Sequence, residues 1–247
     1  MKNVYHILNG DSLRRQFPRG LHGAILVTRE CLIDGEVKGN GIEELFKTRA
    51  KFIRSCHGND GEAFYYGKVV TEFRKMQNIP GGADVNLWFE DDLFCQVNFW
   101  FVMNLLSDGL NNRIFFLVRP KKGSEYSFGG MNASELMEAY RDRIKMEASE
   151  AHMIGGLWNL YQVNDFDEMI NSAMKLNSRF PFILPAIQAH IDRIPAAGKP
   201  GKVARLLTDI TNDLGTTEFE PVFKEFGKRA GIYGFGDTQI RRLLAQM

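Results

Sequence analysis

The segment at residues 85–96 constrains the fold of this chain more than any other part of the sequence. Residues 85–89 are almost continuously apolar, as expected of a strand that is buried on both faces of a sheet. Three acidic residues follow, and residues 93–106 then place apolar side chains at helical spacing. The pattern predicts a buried strand, an acidic turn and a buried helix. Such strands occur mainly in parallel sheets that are covered by helices, so we expect the α/β class.

Three other short apolar segments are predicted as strands, at residues 4–8, 23–28 and 113–119. Helical patterns lie between the strands, at residues 12–17, 42–56 and 62–76. Because these connections are too long for hairpins, the strands are predicted to run parallel. We therefore expect residues 1–125 to form an α/β domain with a mostly parallel sheet flanked by helices, of the Rossmann-like or flavodoxin-like kind.

The pattern changes after about residue 121, where no further strand is predicted. Seven helical patterns follow, at residues 134–144, 149–161, 166–176, 184–193, 203–213, 219–230 and 238–246. We therefore expect residues 130–247 to form a second domain that is all-helical or winged-helix-like.

Composition and charge argue against several functional classes. A formal net charge of +1 provides no global field that would attract nucleic acid or a membrane surface. No apolar run approaches the roughly 20 residues that span a bilayer. Cys31, Cys56 and Cys95 form no CxxC pair, so neither a disulfide framework nor a zinc site is indicated. We expect a protein of the reducing cytoplasm without a membrane partner, and the balanced charge argues against a nucleic-acid partner.

Polar residues follow each predicted strand, and the carboxyl ends of parallel strands share one edge of a sheet. Ligands of open parallel sheets bind at that edge. The residues that we expect there are Asn9, Gly10, Asp11 and Ser12, then Thr28, Arg29 and Glu30, then Glu90, Asp91, Asp92 and Gln96, and finally Arg119.

These residue types indicate two kinds of chemistry. Arg29 and Arg119, with backbone N–H groups at residues 10–12, are suited to hold a phosphate or a carboxylate. Asp11, Glu30 and Asp92 are the candidate catalytic residues, as general bases or as oxygen ligands of Mg²⁺. The predicted ligand-binding residues are Asn9, Gly10, Ser12, Arg29, Gln96 and Arg119. The sequence identifies no cofactor, and Mg²⁺ is the one candidate.

Structural interpretations of the same residues stay open. Asp11 or Ser12 can be a plain helix N-cap, and residues 90–92 can be caps and first-turn acids of the following helix. Arg29 and Glu30 can form a surface pair. Arg49 and Arg54 are expected on the solvated side of their helix. No GxGxxG, GxxxxGK[ST], GxSxG or HExxH motif is present.

Several motifs together resemble a bacterial family catalogued as domain of unknown function 1835. The matching pieces are residues 6–12 (His-Ile-Leu-Asn-Gly-Asp-Ser), residues 29–35, the helix that carries Arg49, residues 87–96, Trp158, residues 180–186 with His190, and residues 233–239. The resemblance spans nearly the whole chain. It implies a helical or winged-helix-like module in the C-terminal part, and it implies no activity.

The chain departs from this family at two places. Family members often carry His where this chain has Asp91, and Gly-Pro where it has Gly35-Glu36. The first departure argues against a histidine-based role for that position.

Two functions of different classes are compatible with the sequence. The first is binding of, or action on, a small anionic ligand, phosphate-like or nucleotide-like, at the carboxyl edge of the sheet. The alternative is a non-enzymatic regulatory or adaptor protein whose helical C-terminal part contacts a protein partner or DNA. Residues 199–247 are close to charge-balanced, whereas DNA binding calls for a basic stripe.

Overall fold

The computed structural model of the protein describes residues 3–107, 112–121, 127–196 and 198–247. The chain forms two compact units. The first consists of Met1–Glu90 with Val97–Asp165, and the second of Asp91–Gln96 with Phe166–Met247. This division differs from the boundary predicted at residues 125–130.

A five-stranded sheet organises the first unit. Its strands are β1 (Val4–Asn9), β2 (Ala24–Thr28), β3 (Asp84–Trp88), β4 (Ile114–Val118) and β5 (Ile144–Lys145). Its helices are α1 (Asp11–Gln16), α2 (Ile42–Phe64), α3 (Thr71–Gln77), α4 (Leu93–Ser107), α5 (Ala133–Arg141) and α6 (Ala148–Val163). The first turn of α4 is grouped with the second unit. A π-helical segment, Tyr65–Val70, joins α2 to α3, and a 3-10 turn, Ser127–Gly130, precedes α5.

The strands lie in the order β2-β1-β3-β4-β5, and the first four are parallel. The predicted α/β fold with a mostly parallel sheet is therefore confirmed. The short strand β5 is antiparallel to β4 and was not predicted, because two residues are too few for a recognisable alternation. β2 lies on one side of β1 in the sheet, and β3 and β4 follow on the other side. The direction in which strands are added therefore reverses at the β1–β3 junction.

Side chains on the two faces of the sheet pack against different helices. On one face, Leu8, Trp88 and Val118 pack with residues of α1, the 3-10 turn and α5, among them Leu13, Phe128 and Leu136. The opposite face carries α2, α3 and α4, whose Phe46, Phe73 and Phe101 rings form a contiguous series with centroids 6.0 Å and 5.0 Å apart. The sheet is covered on both sides, as its apolar strands require.

Helix α4 is apolar on all sides and buried accordingly. Val97, Phe99, Trp100 and Val102 are all inaccessible to solvent, and they point in different directions around the helix. A helix without a polar face is stable only inside a core. The prediction of a buried helix is confirmed.

Helices alone build the second unit, apart from an isolated bridge between Ala196 and Lys199, as far as its residues are described. They are α7 (Phe166–Leu176), α8 (Ile183–Arg193), α9 (Lys202–Leu214), α10 (Phe219–Ala230) and α11 (Asp237–Leu244), with a 3-10 turn at Gly231–Tyr233. Their core contains Ile187, Leu207, Val222, Phe226 and Ile240. This is consistent with the helical C-terminal part that the sequence predicts.

In the part of the chain that the structure describes, no helix combines the length and the apolar character needed to cross a bilayer.

Each unit contains a buried histidine. In the first unit, Trp88 Nε1–H donates to His6 Nδ1 (3.2 Å), so His6 carries its proton on Nε2, which donates to the His22 carbonyl (3.2 Å). In the second unit, Arg193 Nε–H donates to His190 Nδ1 (3.1 Å). Burial lowers the pKa of both imidazoles, that of His190 to about 3. Both are therefore neutral at pH 7.

We predict that the protein loses stability on acidification because these histidines are buried in their neutral form. The unfolded chain binds their protons below a pKa of about 6.5, whereas folded His190 resists protonation down to a pKa of about 3. The stability that these histidines contribute is therefore fully present above pH 6.5 and is lost as the pH falls, for His190 between about 6.5 and 3. His190→Gln is expected to reduce this slope by up to about 1.4 kcal/mol per pH unit in urea unfolding series. An unchanged slope in the variant contradicts this assignment.

Candidate functional site

The register of the sheet brings four strand ends together at its carboxyl edge. Asn9 pairs with Thr28, Leu8 with Trp88, and Trp88 with Val118. The next residues along the strands therefore follow side by side at this edge. Arg29 after β2 lies beside Gly10 after β1, and Phe89 after β3 lies between Asn9 and Arg119, one residue earlier in the register.

Asp11 and Arg29 form a bidentate ion pair at this edge. Arg29 Nε donates to Asp11 Oδ2 (2.7 Å) and Arg29 Nη2 donates to Asp11 Oδ1 (2.8 Å). The arginine side chain is 15% exposed and the aspartate side chain 48% exposed. The hydrogen bonds from Arg29 hold the pKa of Asp11 below its ordinary value, so the carboxylate is ionised at neutral pH.

Gly10 makes the turn between β1 and α1. Its φ of 94° is a left-handed conformation that other residues avoid, and its N–H donates to the Thr28 carbonyl (2.9 Å). A β-carbon at this position would meet nothing within 4 Å, so the space beside the turn is open. Gly10 is the N-cap of α1, and no side chain caps the helix. The interpretation of Asp11 or Ser12 as a plain N-cap is wrong, because the carboxylate of Asp11 binds Arg29 instead.

Asn98 of α4 connects the ends of β1 and β2, and sequence analysis missed it. Its Nδ2 donates to Asn9 Oδ1 (3.0 Å) and to the Glu30 carbonyl (2.7 Å), and its Oδ1 accepts from Leu32 N–H (3.3 Å). The signal for this residue was an amide in a largely apolar helix, where a buried polar group needs partners. The Thr28 hydroxyl is also buried here, and it has no hydrogen-bond partner among the described residues.

Glu30, predicted as a catalytic residue, lies in a buried ion pair with Arg49. Arg49 Nε donates to Glu30 Oε1 (3.0 Å) and Arg49 Nη2 donates to Glu30 Oε2 (2.9 Å), with both side chains almost fully buried. The Cys31 N–H (2.8 Å) and the buried Tyr65 hydroxyl also bind this carboxylate. Both oxygens of Glu30 are thus engaged by structural partners.

Arg49 also holds the loop that follows β2. It donates to the carbonyls of Cys31 (3.0 Å) and Glu36 (3.2 Å), and to that of Asp34. The expectation that Arg49 lies on the solvated side of its helix is wrong. Arg54, one to two turns along the same helix, does lie at the surface and pairs with Glu62.

The other predicted residues of the first unit occupy different parts of the edge. Ser12 is exposed on α1, and Arg119 is half-buried directly after β4. Neighbouring strands are about 4.8 Å apart, so the backbones of Arg29 and Arg119, three strands apart, are separated by roughly 14 Å. Glu90 Oε1 accepts from Phe128 N–H (2.9 Å), which joins the end of β3 to the 3-10 turn.

Asp92 and Gln96 are grouped with the second unit. Asp92 Oδ1 accepts from Cys95 N–H (2.9 Å), so this residue caps α4, and the capping interpretation is confirmed here. Its carboxylate lies so close to Gly234 that a β-carbon there would be 1.9 Å from Oδ1. Burial raises the pKa of Asp92, and the charge of Asp91 acts in the same direction. Gln96 is fully buried.

The ion pairs of Asp11 with Arg29 and of Glu30 with Arg49 affect whether these carboxylates can hold the predicted Mg²⁺. Both carboxylate oxygens of Asp11 and both of Glu30 accept hydrogen bonds from guanidinium groups. A metal ion bound to either carboxylate would have to displace an arginine. Neither carboxylate is therefore available to a cation while its ion pair is intact.

No protein-family model, no curated protein and no solved structure matches the chain.

We predict that the Glu30–Arg49 pair is structural and strongly coupled. Arg49→Met is expected to lower the free energy of unfolding by about 3–5 kcal/mol, because it leaves the Glu30 carboxylate buried and unpaired. Adding Glu30→Gln to this variant removes the buried charge and should restore part of the loss. Urea unfolding of the two single variants and the double variant measures the coupling.

Arg54→Met serves as the matched control, because Arg54 pairs with Glu62 at the surface. Its cost should stay below about 1 kcal/mol. Equal costs for the two arginine variants would show that Arg49 has no special role in the fold.

Proposed function

We propose that the carboxyl edge of the parallel sheet binds a small anionic ligand, phosphate-like or nucleotide-like. The observation that carries the proposal is that Arg29, one strand away from the β1–β3 junction where the strand order reverses, holds its guanidinium at the end of β1 through Asp11. In open α/β sheets, ligands bind in the crevice that such a reversal leaves outside the carboxyl ends of the strands. Arg29 presents at this place the planar fork that recognises carboxylates and phosphates.

We also propose that the first unit is a variant of the flavodoxin-like doubly wound fold. The order β2-β1-β3-β4 of its parallel strands supports this, since the flavodoxin-like order begins in the same way. The antiparallel β5 is the departure. In that fold the ligand crevice lies at the β1–β3 junction, which is where Gly10 leaves open space.

Basic residues supply a local positive potential for the proposed ligand. Arg14 and Arg15 are exposed on α1, and their charges act with that of Arg29 to lower the pKa of Asp11. Neither forms an ion pair with another residue in the described part of the chain. Arg119 adds a fourth guanidinium at the far end of the same edge.

The proposal is one of binding, without a reaction. A lowered pKa makes Asp11 a weak base at neutral pH, and the carboxylate of Glu30 is fully engaged within the core. Asp92 and Gln96 stay predictions, outside the arginine-based site. Membership of the domain of unknown function 1835 family is likewise proposed from the motifs at residues 6–12 and 87–96, and it adds no activity.

The alternative function, a helical C-terminal part that contacts DNA or a protein partner, also stays a prediction. Two arginines of this unit lie against other side chains of the same unit. Arg229 pairs with Asp213 and Glu225, and the Arg241 guanidinium lies 3.5 Å from the Phe219 ring centroid.

We predict that Arg29→Gln weakens the binding of phosphate-like anions by about 10- to 100-fold. A bidentate, charge-assisted contact is worth about 1.5–3 kcal/mol, which corresponds to such a factor in Kd. Isothermal titration with pyrophosphate and with adenosine monophosphate measures the loss in the full chain.

Arg54→Gln is the control for this experiment, since it removes the same charge from an exposed helix position. It should change the affinity less than about twofold. If no anion binds the wild-type chain, or if both variants lose affinity equally, the proposed site is wrong.

A further inference from the structure

The guanidinium of Arg29 already binds a carboxylate of the same chain, that of Asp11. Two parallel N–H···O bonds of 2.7 Å and 2.8 Å join it to Asp11. This is the geometry in which a guanidinium binds a free carboxylate or a phosphate. A ligand that binds Arg29 in the same way must therefore replace Asp11.

The position of Asp11 makes this replacement accessible. Its side chain is 48% exposed, whereas that of Arg29 is only 15% exposed, so the arginine is fixed in the edge and the carboxylate covers it from the solvent side. Asp11 directly follows Gly10, a residue with wide conformational freedom and with open space beside its α-carbon. The carboxylate therefore has an open, solvent-exposed side towards which it can turn when Arg29 is released.

The charges around Asp11 favour a ligand with more than one negative charge. Three guanidinium groups, those of Arg14, Arg15 and Arg29, act on this single carboxylate. Asp11 neutralises one of them. A phosphate-like dianion brings one further negative charge and at least one further acceptor oxygen to the same cluster.

We infer that Asp11 is an intramolecular latch on Arg29, which a phosphate-like dianion displaces on binding. The inference rests on the proposed anion site and adds to it both the ligand class and a mechanism that sets its affinity. Because the latch competes for the guanidinium, it lowers the affinity for every anion by the same factor, so only a ligand with a high intrinsic affinity, such as a dianion, displaces it readily. Asp11, predicted from the sequence as a catalytic residue, thus acts against binding.

The inference is tested by titrating the full chain with inorganic phosphate and with pyrophosphate by calorimetry. Exposed ion pairs contribute up to about 1 kcal/mol and bidentate pairs somewhat more, so Asp11→Asn should tighten binding about three- to tenfold. Arg29→Gln should abolish this gain when it is combined with Asp11→Asn. Asp11→Ala, which removes the hydrogen-bonding side chain entirely, should tighten binding at least as much.

Glu72→Gln is the matched control for charge alone. The Glu72 carboxylate acts on Arg29 through its charge, without a hydrogen bond to it, and binds the Val27 N–H and Lys75 instead. This variant should change the affinity less than about twofold. An equal gain in Glu72→Gln and Asp11→Asn would overturn the latch, since the gain would then reflect net charge.

Failure of the latch is distinguishable from failure of the site. If wild-type chain binds pyrophosphate through Arg29, but Asp11→Asn binds it no more tightly, the latch is wrong and the anion site stands. If neither wild type nor Asp11→Asn binds phosphate or pyrophosphate while both keep the circular dichroism spectrum of the folded chain, both proposals fail.

Discussion

Burial of the Glu30–Arg49 ion pair is the interaction on which the carboxyl edge of the sheet depends. Removing two charges from water costs free energy, and here hydrogen bonds to both side chains offset that cost. Glu30 receives two bonds from Arg49, and Arg49 also binds three carbonyls of the loop after β2. The loop is thereby fixed to α2 rather than left to the solvent.

This burial also decides where Arg29 lies. Successive residues at the end of an extended segment point to opposite sides. Because the Glu30 side chain points to Arg49 of α2, its neighbour Arg29 points to the other side, where α1 begins with Asp11. Asn98 reinforces the arrangement by joining Asn9 to the Glu30 backbone. A structural pair in the core thus helps to position Arg29, the arginine of the proposed site.

Much of this fold could be predicted from the sequence, because its strands are short, apolar and separated by long helical connections. The four parallel strands and the shared edge follow from that pattern. The role of Arg49 could not be predicted, since its partner Glu30 lies 19 residues earlier and spacing along a helix does not identify a buried cation. The short strand β5 was missed because its pairing with β4 depends on tertiary structure.

Individual roles at the edge were harder to predict than its location. An aspartate after a strand and a turn can cap a helix or bind an arginine, and local sequence does not separate the two outcomes. Asp11 binds Arg29, and Asp92 caps α4. The difference lies in what each carboxylate meets in three dimensions. Arg29 reaches Asp11 from β2, 18 residues away along the chain, whereas the N–H that Asp92 binds lies only three residues away.

The central claim is that Arg29 binds an external dianion at the carboxyl edge in place of Asp11. It is tested most directly by soaking crystals of the full chain in tungstate, a heavy analogue of phosphate whose position is visible by anomalous scattering. We predict a tungstate ion within hydrogen-bonding distance of the Arg29 guanidinium, with Asp11 turned away from it. An intact Asp11–Arg29 pair, with no tungstate beside the ends of β1 and β2, would contradict the claim.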